Sequence, residues 1–391
     1  MAISKITTES LLDGEITDAK IAGVAASKLT GALPAISGAS LTNLPSEITK
    51  SASDPSVSTN PSGGVGTVFL NTTSGEMFSL TDATAGSNVW INIGDGEEGV
   101  PSYISATGGT VTTVGDYKVH TFTSSGTFEV TSLADVMTVD YLVIAGGGSG
   151  KSGGGAQGGG GGAGGYRSSW NSETSGGGGS SETAITATAV SYTITVGAGG
   201  ATQSPSSVVS NNGSNSSLVH ASITDIISTG GGGGGGRMEW SGDVAYAAKT
   251  GGSGGGASPG YSGGSGTANQ GYAGGNGGPS HFNGGGGGAG AVGNVGVDAS
   301  SGSEGGAGQY STISGASTAY AGGGGGFTQT STRHSSGGVG GGGTGGYWSG
   351  SAVAGTAATV NSGGGGGGGT STGNANNGGS GIVIIRYQFQ A

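Results

Sequence analysis

Spaced aliphatic positions open the chain: Ile3, Ile6, Leu12, Ile16, Ile21, Val24, Leu29, Leu33, Ile36, Leu41 and Leu44 recur at gaps of three to six residues. Gly14, Gly23, Gly31, Pro34 and Gly38 interrupt them, so no continuous heptad forms. The stretch DAKIAG (18–23) returns as ASKLTG (26–31), a two-copy repeat. So thin an apolar set cannot build a core alone. Wound around copies of itself it can, which predicts an oligomeric stalk or attachment segment over 1–50, with a disordered tail as the alternative. Residues 51–64 (SASDPSVSTNPSGG) read as linker. Alternation resumes in VGTVFLNTTSGEMFSL and NVWINIG, predicting a small β-module over 65–100. YKVHTFTSSGTFEV predicts a hairpin turning at Ser125–Gly126, and DYLVIA (140–145) a base strand, together spanning 101–144.

From 145 to 391 the pattern changes. SYTITVGA (191–198) and LVHASITDIIS (218–228) read as strands, and GIVIIRYQF (381–389) as a buried closing strand. DYLVI and IVIIRY thus bracket the whole tract, and pairing between them would let the chain leave and return through one β-base. A free linker needs no such anchors.

Composition explains what lies between the brackets. Of 99 glycines, 83 fall after residue 144, about the collagen fraction, yet no Gly-X-Y register exists and the chain has only 8 prolines. Pure glycine runs recur at 158–162, 176–179, 230–236, 284–288, 322–326, 340–343 and 363–369. Without side chains such runs either stay flexible or satisfy every amide laterally. Polyglycine II does the latter, with three residues per turn and backbone groups directed at neighbouring chains, so a seven-residue run spans roughly 22 Å. The expected fold is therefore mainly β and irregular: an oligomeric N-terminal stalk, a small β-module, and a β-base carrying a polyglycine II bundle over 145–391.

Charge divides at the same point, with a net −10 in residues 1–144 and −1 in the remainder. Nothing supplies the basic face that nucleic acid requires. No apolar run reaches signal-peptide or membrane-span length, and there are no cysteines. The chain is therefore expected to be synthesised in the cytoplasm without a signal peptide, and either to stay there or to leave by a route other than secretion.

Several motifs imitate chemistry. AGGGSGKS (145–152) resembles a P-loop, but no helix can follow in GGGAQGGGGG. GGSGG (251–255) matches a nucleophile-elbow pattern without its apolar strand. The four histidines stand singly, and DGEEG (95–99) lacks calcium-loop spacing. The sequence therefore predicts no enzyme, cofactor or metal. Aromatic residues between the runs are the better candidates for binding: Tyr166, Trp170, Trp240, Tyr246, Tyr261, Tyr272, Phe282, Tyr347 and Trp348. Each offers a large area with few rotors, for receptor contact or equally for capping the rods.

DGEITDAKIAG, KLTGALPAISGASLTNLP, the module from DPSVSTNPSGG to NVWINIG, and VDYLVIAGGG with GSGIVIIRY resemble tail-fibre proteins of marine and other tailed bacteriophages. The last pair is similar to the glycine-rich domain of T-even-like fibre-tip adhesins. That resemblance implies a hexagonal polyglycine II bundle with receptor-binding end loops, on the exterior of a virion. The implied partners are a bacterial cell-surface receptor (glycan or outer-membrane protein), other virion proteins through the N-terminal segment, and two further copies in a homotrimer. A virion fibre or decoration without receptor binding is the alternative, and an ice-binding or surface glycine-rich protein a third.

Overall fold

The computed structural model describes residues 48–94, 103–133, 137–151, 158–202, 210–238, 244–279, 281–297, 303–329, 334–370 and 376–389. Residues 1–47 of the stalk predicted over 1–50 lie outside the described residues, and Thr49 and Lys50 belong to a strand of the first sheet. The chain is mainly β and irregular, with no helix of seven residues or more among them. It divides into two compact units, Met1–Gly99 and Val100–Ala391.

The first unit is one four-stranded sheet in the order β1 (Thr49–Ser51), β2 (Val68–Asn71), β3 (Met77–Asp82) and β4 (Val89–Gly94). Phe69 and Leu80 are buried, and the Phe69 ring meets Trp90 edge-on at 5.6 Å. The segment read as linker is folded against this sheet. Asn88 donates through Nδ2 to the Thr59 carbonyl at 2.7 Å, its amide bonds Val57, and Asn71 Nδ2 reaches Asp54 at 2.7 Å.

In the second unit the chain forms β5 (Ser105–Thr107), β6 (Thr110–Val114), β7 (Tyr117–Phe122), β8 (Gly126–Ser132) and β9 (Thr138–Ile144) before the tract begins. Then come β10 (Tyr166–Ser168), β11 (Ile185–Thr186), β12 (Ser191–Thr195), β13 (Ser216–Val219) and β14 (Ile226–Ser228). Short pairs follow: β15 (Gly236–Met238) with β16 (Val244–Tyr246), β17 (Gln309–Ser311) with β18 (Thr318–Tyr320), and β19 (Thr328–Gln329), β20 (Tyr347–Trp348) and β21 (Ala352–Val353) together. The last strand is β22 (Ile382–Gln388).

The bracketing strands do pair. β22 lies antiparallel to β9, with Ile382 opposite Ile144 and Ile384 opposite Leu142. Its other side takes β7, in the order β10-β9-β22-β7-β6. The predicted hairpin of β7 and β8 does not exist. β8 instead joins β5 and β12 in a second sheet, ordered β14-β13-β12-β8-β5. Alternation explains the split: Phe122 and Phe128 both point into the space between the sheets, where pairing in one sheet would compete with burial. Phe128, Tyr192, Ile194 and Leu218 there meet Val143, Val383, Ile385 and Tyr387. The opposite face of the six-stranded sheet buries Leu142, Ile144, Ile382 and Ile384 against Tyr166, Ile313 and Tyr320.

Beyond this base the glycine runs form rods, and their hydrogen bonds reveal the geometry. In rod 158–165, the amides of Gly159, Gly162 and Gly165 donate to Gly235, Gly232 and Thr229. Those of Gly160 and Ala163 donate to Gly284 and Gly287, and those of Gly161 and Gly164 to Gly366 and Gly363. Each neighbour is met every third residue, the polyglycine II period. Its carbonyls serve three further rods: Gly159, Gly162 and Gly165 accept from Lys151, Gly148 and Ala145, Gly160 and Ala163 from Gly256 and Ser253, Gly158 and Gly161 from Phe327 and Gly324.

Six rods therefore enclose the one at 158–165. They also bond one another around the ring: 145–151 with 229–235, 229–235 with 253–257, 253–257 with 284–288, 284–288 with 321–327, 321–327 with 363–369, and 363–369 with 145–151. This is a closed hexagon in which every direction is a backbone hydrogen bond. Runs 176–179 and 340–343 depart from the expectation, the second turning at Gly340 and Gly341 with φ of +98° and +93°. Gly176–Gly178 makes a 3-10 turn, with φ of +65° and +78° at Gly177 and Gly178, beside the base.

Candidate functional site: the distal face of the bundle

The hydrogen-bond register gives the bundle two ends. Ala145, Gly165 and Gly381 adjoin base strands, so this end is proximal. Lys151, Gly158, Gly236, Phe327 and Gly369 lie at the opposite, distal end. The connections between rods alternate between the two ends, and that alternation sorts the aromatic candidates.

Three are proximal. Tyr166 is 0% exposed, with its hydroxyl donating to the Tyr310 carbonyl at 3.3 Å. It has no face left for a receptor and belongs to the core. Trp170 covers the guanidinium of Arg386 at 4.1 Å, with Tyr117 at 4.3 Å, and donates through Nε1 to Thr312 at 3.0 Å. Arg386 in turn donates Nη1 to the Ile313 carbonyl at 3.1 Å, while Asp140 stands opposite it in the β9–β22 ladder. Trp170 is a capping residue over a buried cation. Tyr272 is half-buried, its amide bonded to Gly288 and its carbonyl to Gly254.

Five are distal. Tyr246 closes the β15–β16 pair opposite Gly236, which bridges to Gly158 at the end of the central rod. The Tyr261 carbonyl accepts from Gly277, and the Phe282 carbonyl from Gly278. Asn283 continues the row by bonding Phe327, and Thr328 by bonding Gly346, beside Tyr347 and Trp348. A contiguous set of backbone contacts thus runs from Tyr261 through Phe282 to β19 and β20. Tyr261 and Trp348 are the most open, 47% and 36% exposed. Tyr246, Phe282 and Tyr347 are half-buried, and the Tyr347 ring meets His334 edge-on at 4.8 Å. Trp240 lies outside the described residues.

The motifs that imitate chemistry are absorbed by the fold. The P-loop-like stretch 145–151 is a rod whose amides bond other rods, and the Lys151 side chain is 2% exposed against Gly236. Ser253 is 0% exposed within its rod. His120 is buried between the Gly108 carbonyl and the Tyr387 hydroxyl, and burial draws its pKa below the usual imidazole value. Among the described residues no group of His, Asp or Glu has metal-binding geometry.

Sequence reasoning missed the charged network near the base. Arg167 grips Glu182 through Nε at 2.9 Å and Nη2 at 2.6 Å, and the Tyr141 hydroxyl donates to Glu182 at 2.8 Å. Burial, then the Glu182 carboxylate, pushes the Tyr141 phenol up. These residues are single letters far apart in the chain, with no motif to mark them.

Burial also pulls the Lys151 ammonium down to about 8 from 10.5. Between those values the unfolded chain holds a proton that the folded chain lacks, so stability rises with pH across that window. Above about pH 10 the buried phenols of Tyr141 and Tyr166 act oppositely, because the folded chain keeps protons that the unfolded chain loses. The melting midpoint should therefore climb from pH 8, peak near about pH 10 and then fall. Lys151→Met should abolish the climb and keep the fall. A parent protein with a flat profile between about pH 8 and 10 contradicts this assignment.

A family model described as a glycine-rich domain matches residues 123–388, from the entry to β8 to the end of β22. The chain belongs to the glycine-rich domain family. The glycine-rich domain so matched contains both bracketing strands and every rod of the hexagon. It leaves out β5, β6 and β7, although β7 completes the sheet beside β22. No curated protein matches the chain.

Proposed function

We propose that this chain is a bacteriophage attachment protein, a tail-fibre-like adhesin on the virion exterior that binds a bacterial surface receptor without acting as an enzyme. The observation that supports this reading is the sorting of aromatics. A rod bundle built mostly of glycine, with few side chains to rearrange, presents Tyr261, Phe282, Tyr347 and Trp348 at the end remote from its β-base. A rigid platform lowers the ordering cost of binding, and exposed aromatics supply contact area. Loops on such a scaffold are the usual place for recognition. The resemblance of the N-terminal segments to phage fibre modules supports the virion location. The purified full chain should bind susceptible bacteria and compete with virions for adsorption. Absence of both binding and competition sinks the adhesin reading and leaves a purely structural fibre.

The same proposal includes a homotrimer organised by the N-terminal half, with segment 1–50 docking to other virion proteins. Light scattering should report three copies for the full chain and one for residues 100–391, the second compact unit. A monomeric full chain removes the trimer.

A further inference from the structure

The sheet of the first unit has an apolar face on each side, and only one of them is packed. Register assigns the rows of the open face. Val68, Ser79 and Ile91 stand opposite one another across β2, β3 and β4, and Lys50, Leu70 and Met77 across β1, β2 and β3. Side chains alternate along a strand, so Val89 and Ile93 share the face of Ile91. Phe69, Phe78 and Trp90 point the other way, where their rings meet and where Asn71 holds the segment at Asp54. Exposure agrees with the assignment: Val89, Ile91 and Ile93 are 48%, 51% and 55% exposed, while Phe69 and Leu80 are buried.

Two features require a cover for the open face. β4 is an edge strand, and its sequence VWINIG has none of the charges or prolines that blunt such edges. The core on the packed side is also small, since Phe69 and Leu80 are the only fully buried large apolar side chains among residues 48–94. Modules of this size usually add disulfides, metals or further copies of themselves. The chain has no cysteine, and the described residues hold no metal-binding group.

The margin of the face indicates which partner fits. Lys50 stands on the outer strand β1, and Asp82 lies opposite Val89 at the far end of β3, diagonally across the face. The face thus carries one charge of each sign and no net charge, although the chain as a whole is at −11. A copy turned about a symmetry axis brings each sign to the other. Ile48, 47% exposed and two residues before Lys50, extends the face toward segment 1–47 with its spaced aliphatics.

We propose that the face bearing Val68, Leu70, Val89, Ile91 and Ile93 is the contact between copies of this chain. The inference rests on the homotrimer reading and gives the trimer a specific surface in the first unit.

The test uses the full chain, in which Ile91→Cys and Val57→Cys each introduce a single thiol. Val57 is 58% exposed, on the segment folded against the opposite face. The Ile91→Cys thiol should react with a maleimide at least about tenfold more slowly than the Val57→Cys thiol. Ile91→Glu with Ile93→Glu should turn three copies into one in light scattering, because the contact would bury unpaired carboxylates. Both positions are exposed in the single chain, so the sheet itself should tolerate the change. A monomeric parent overturns this contact together with the trimer. A trimeric parent whose Ile91→Cys thiol reacts as fast as the Val57→Cys thiol, or whose double glutamate variant keeps three copies, overturns this contact alone and leaves the trimer held elsewhere.

Discussion

Gly161→Val should unfold the second unit at temperatures the parent survives easily. Gly161 occupies the central rod, and a Cβ there would stand 2.2 Å from the Gly148 carbonyl oxygen and 2.9 Å from the Ser149 carbonyl carbon. Both are backbone atoms of a rod held on other sides by Gly366, Gly231 and Gly234. The obstacle cannot swing away as a side chain would. Separating the rods breaks the bonds between them and strands buried amides, each costing about 1–3 kcal/mol. With overpacking added, a loss of about 4 kcal/mol or more is expected. That is a large share of a typical domain's 5–15 kcal/mol or so. Gly126→Ala is the matched control, because its Cβ would meet only the Phe122 ring, at 3.7 Å. Thermal melting and protease resistance should separate the two variants clearly. Equal behaviour would mean that the hexagon contributes little to stability.

The second expectation concerns binding. Tyr261→Ala with Trp348→Ala should lower cell adsorption by at least about 30-fold, since aromatic anchors often account for about 2 kcal/mol each and their effects do not simply add. Both side chains are exposed, so the melting midpoint should hardly move. Trp170→Ala should show the reverse. Exposing the Arg386 guanidinium lowers the midpoint, while the protein that stays folded adsorbs as the parent does. Salt should matter little to either result, because the residues after 144 have a net charge of only −1. A folded Tyr261/Trp348 double variant that adsorbs normally takes the distal face out of the receptor site.

The elements of this fold were more legible than their partners. DYLVI and IVIIRY announced the base because apolar runs of that length need burial, and they pair directly. Glycine runs announced rods because nothing else in them can be satisfied. Which rods become neighbours was hidden, since identical glycines carry no complementary side chains to read. The β7–β8 hairpin misled because a Ser-Gly turn between alternating segments suits a hairpin and a crossover between sheets equally well. The aromatics were seen but not sorted. Their end of the bundle follows from counting chain reversals: Trp170 comes after a rod running back to the base, and Trp348 after one running outward. Residues such as Arg386 and Lys151 gave no signal, because burial of a charge depends on packing that one sequence does not display.

The position of β22 has a consequence for synthesis. The strand that completes the base lies between β9 and β7, yet it follows them in the chain by about 240 to 260 residues. Until β22 has been made, those two strands have no partner between them and the rods have no closed base to stand on. Contacts of such long sequence separation form slowly, and an open strand edge invites association while the chain waits. Folding of this unit therefore waits on β22, and a chain cut short before that strand is left with its central sheet split in two.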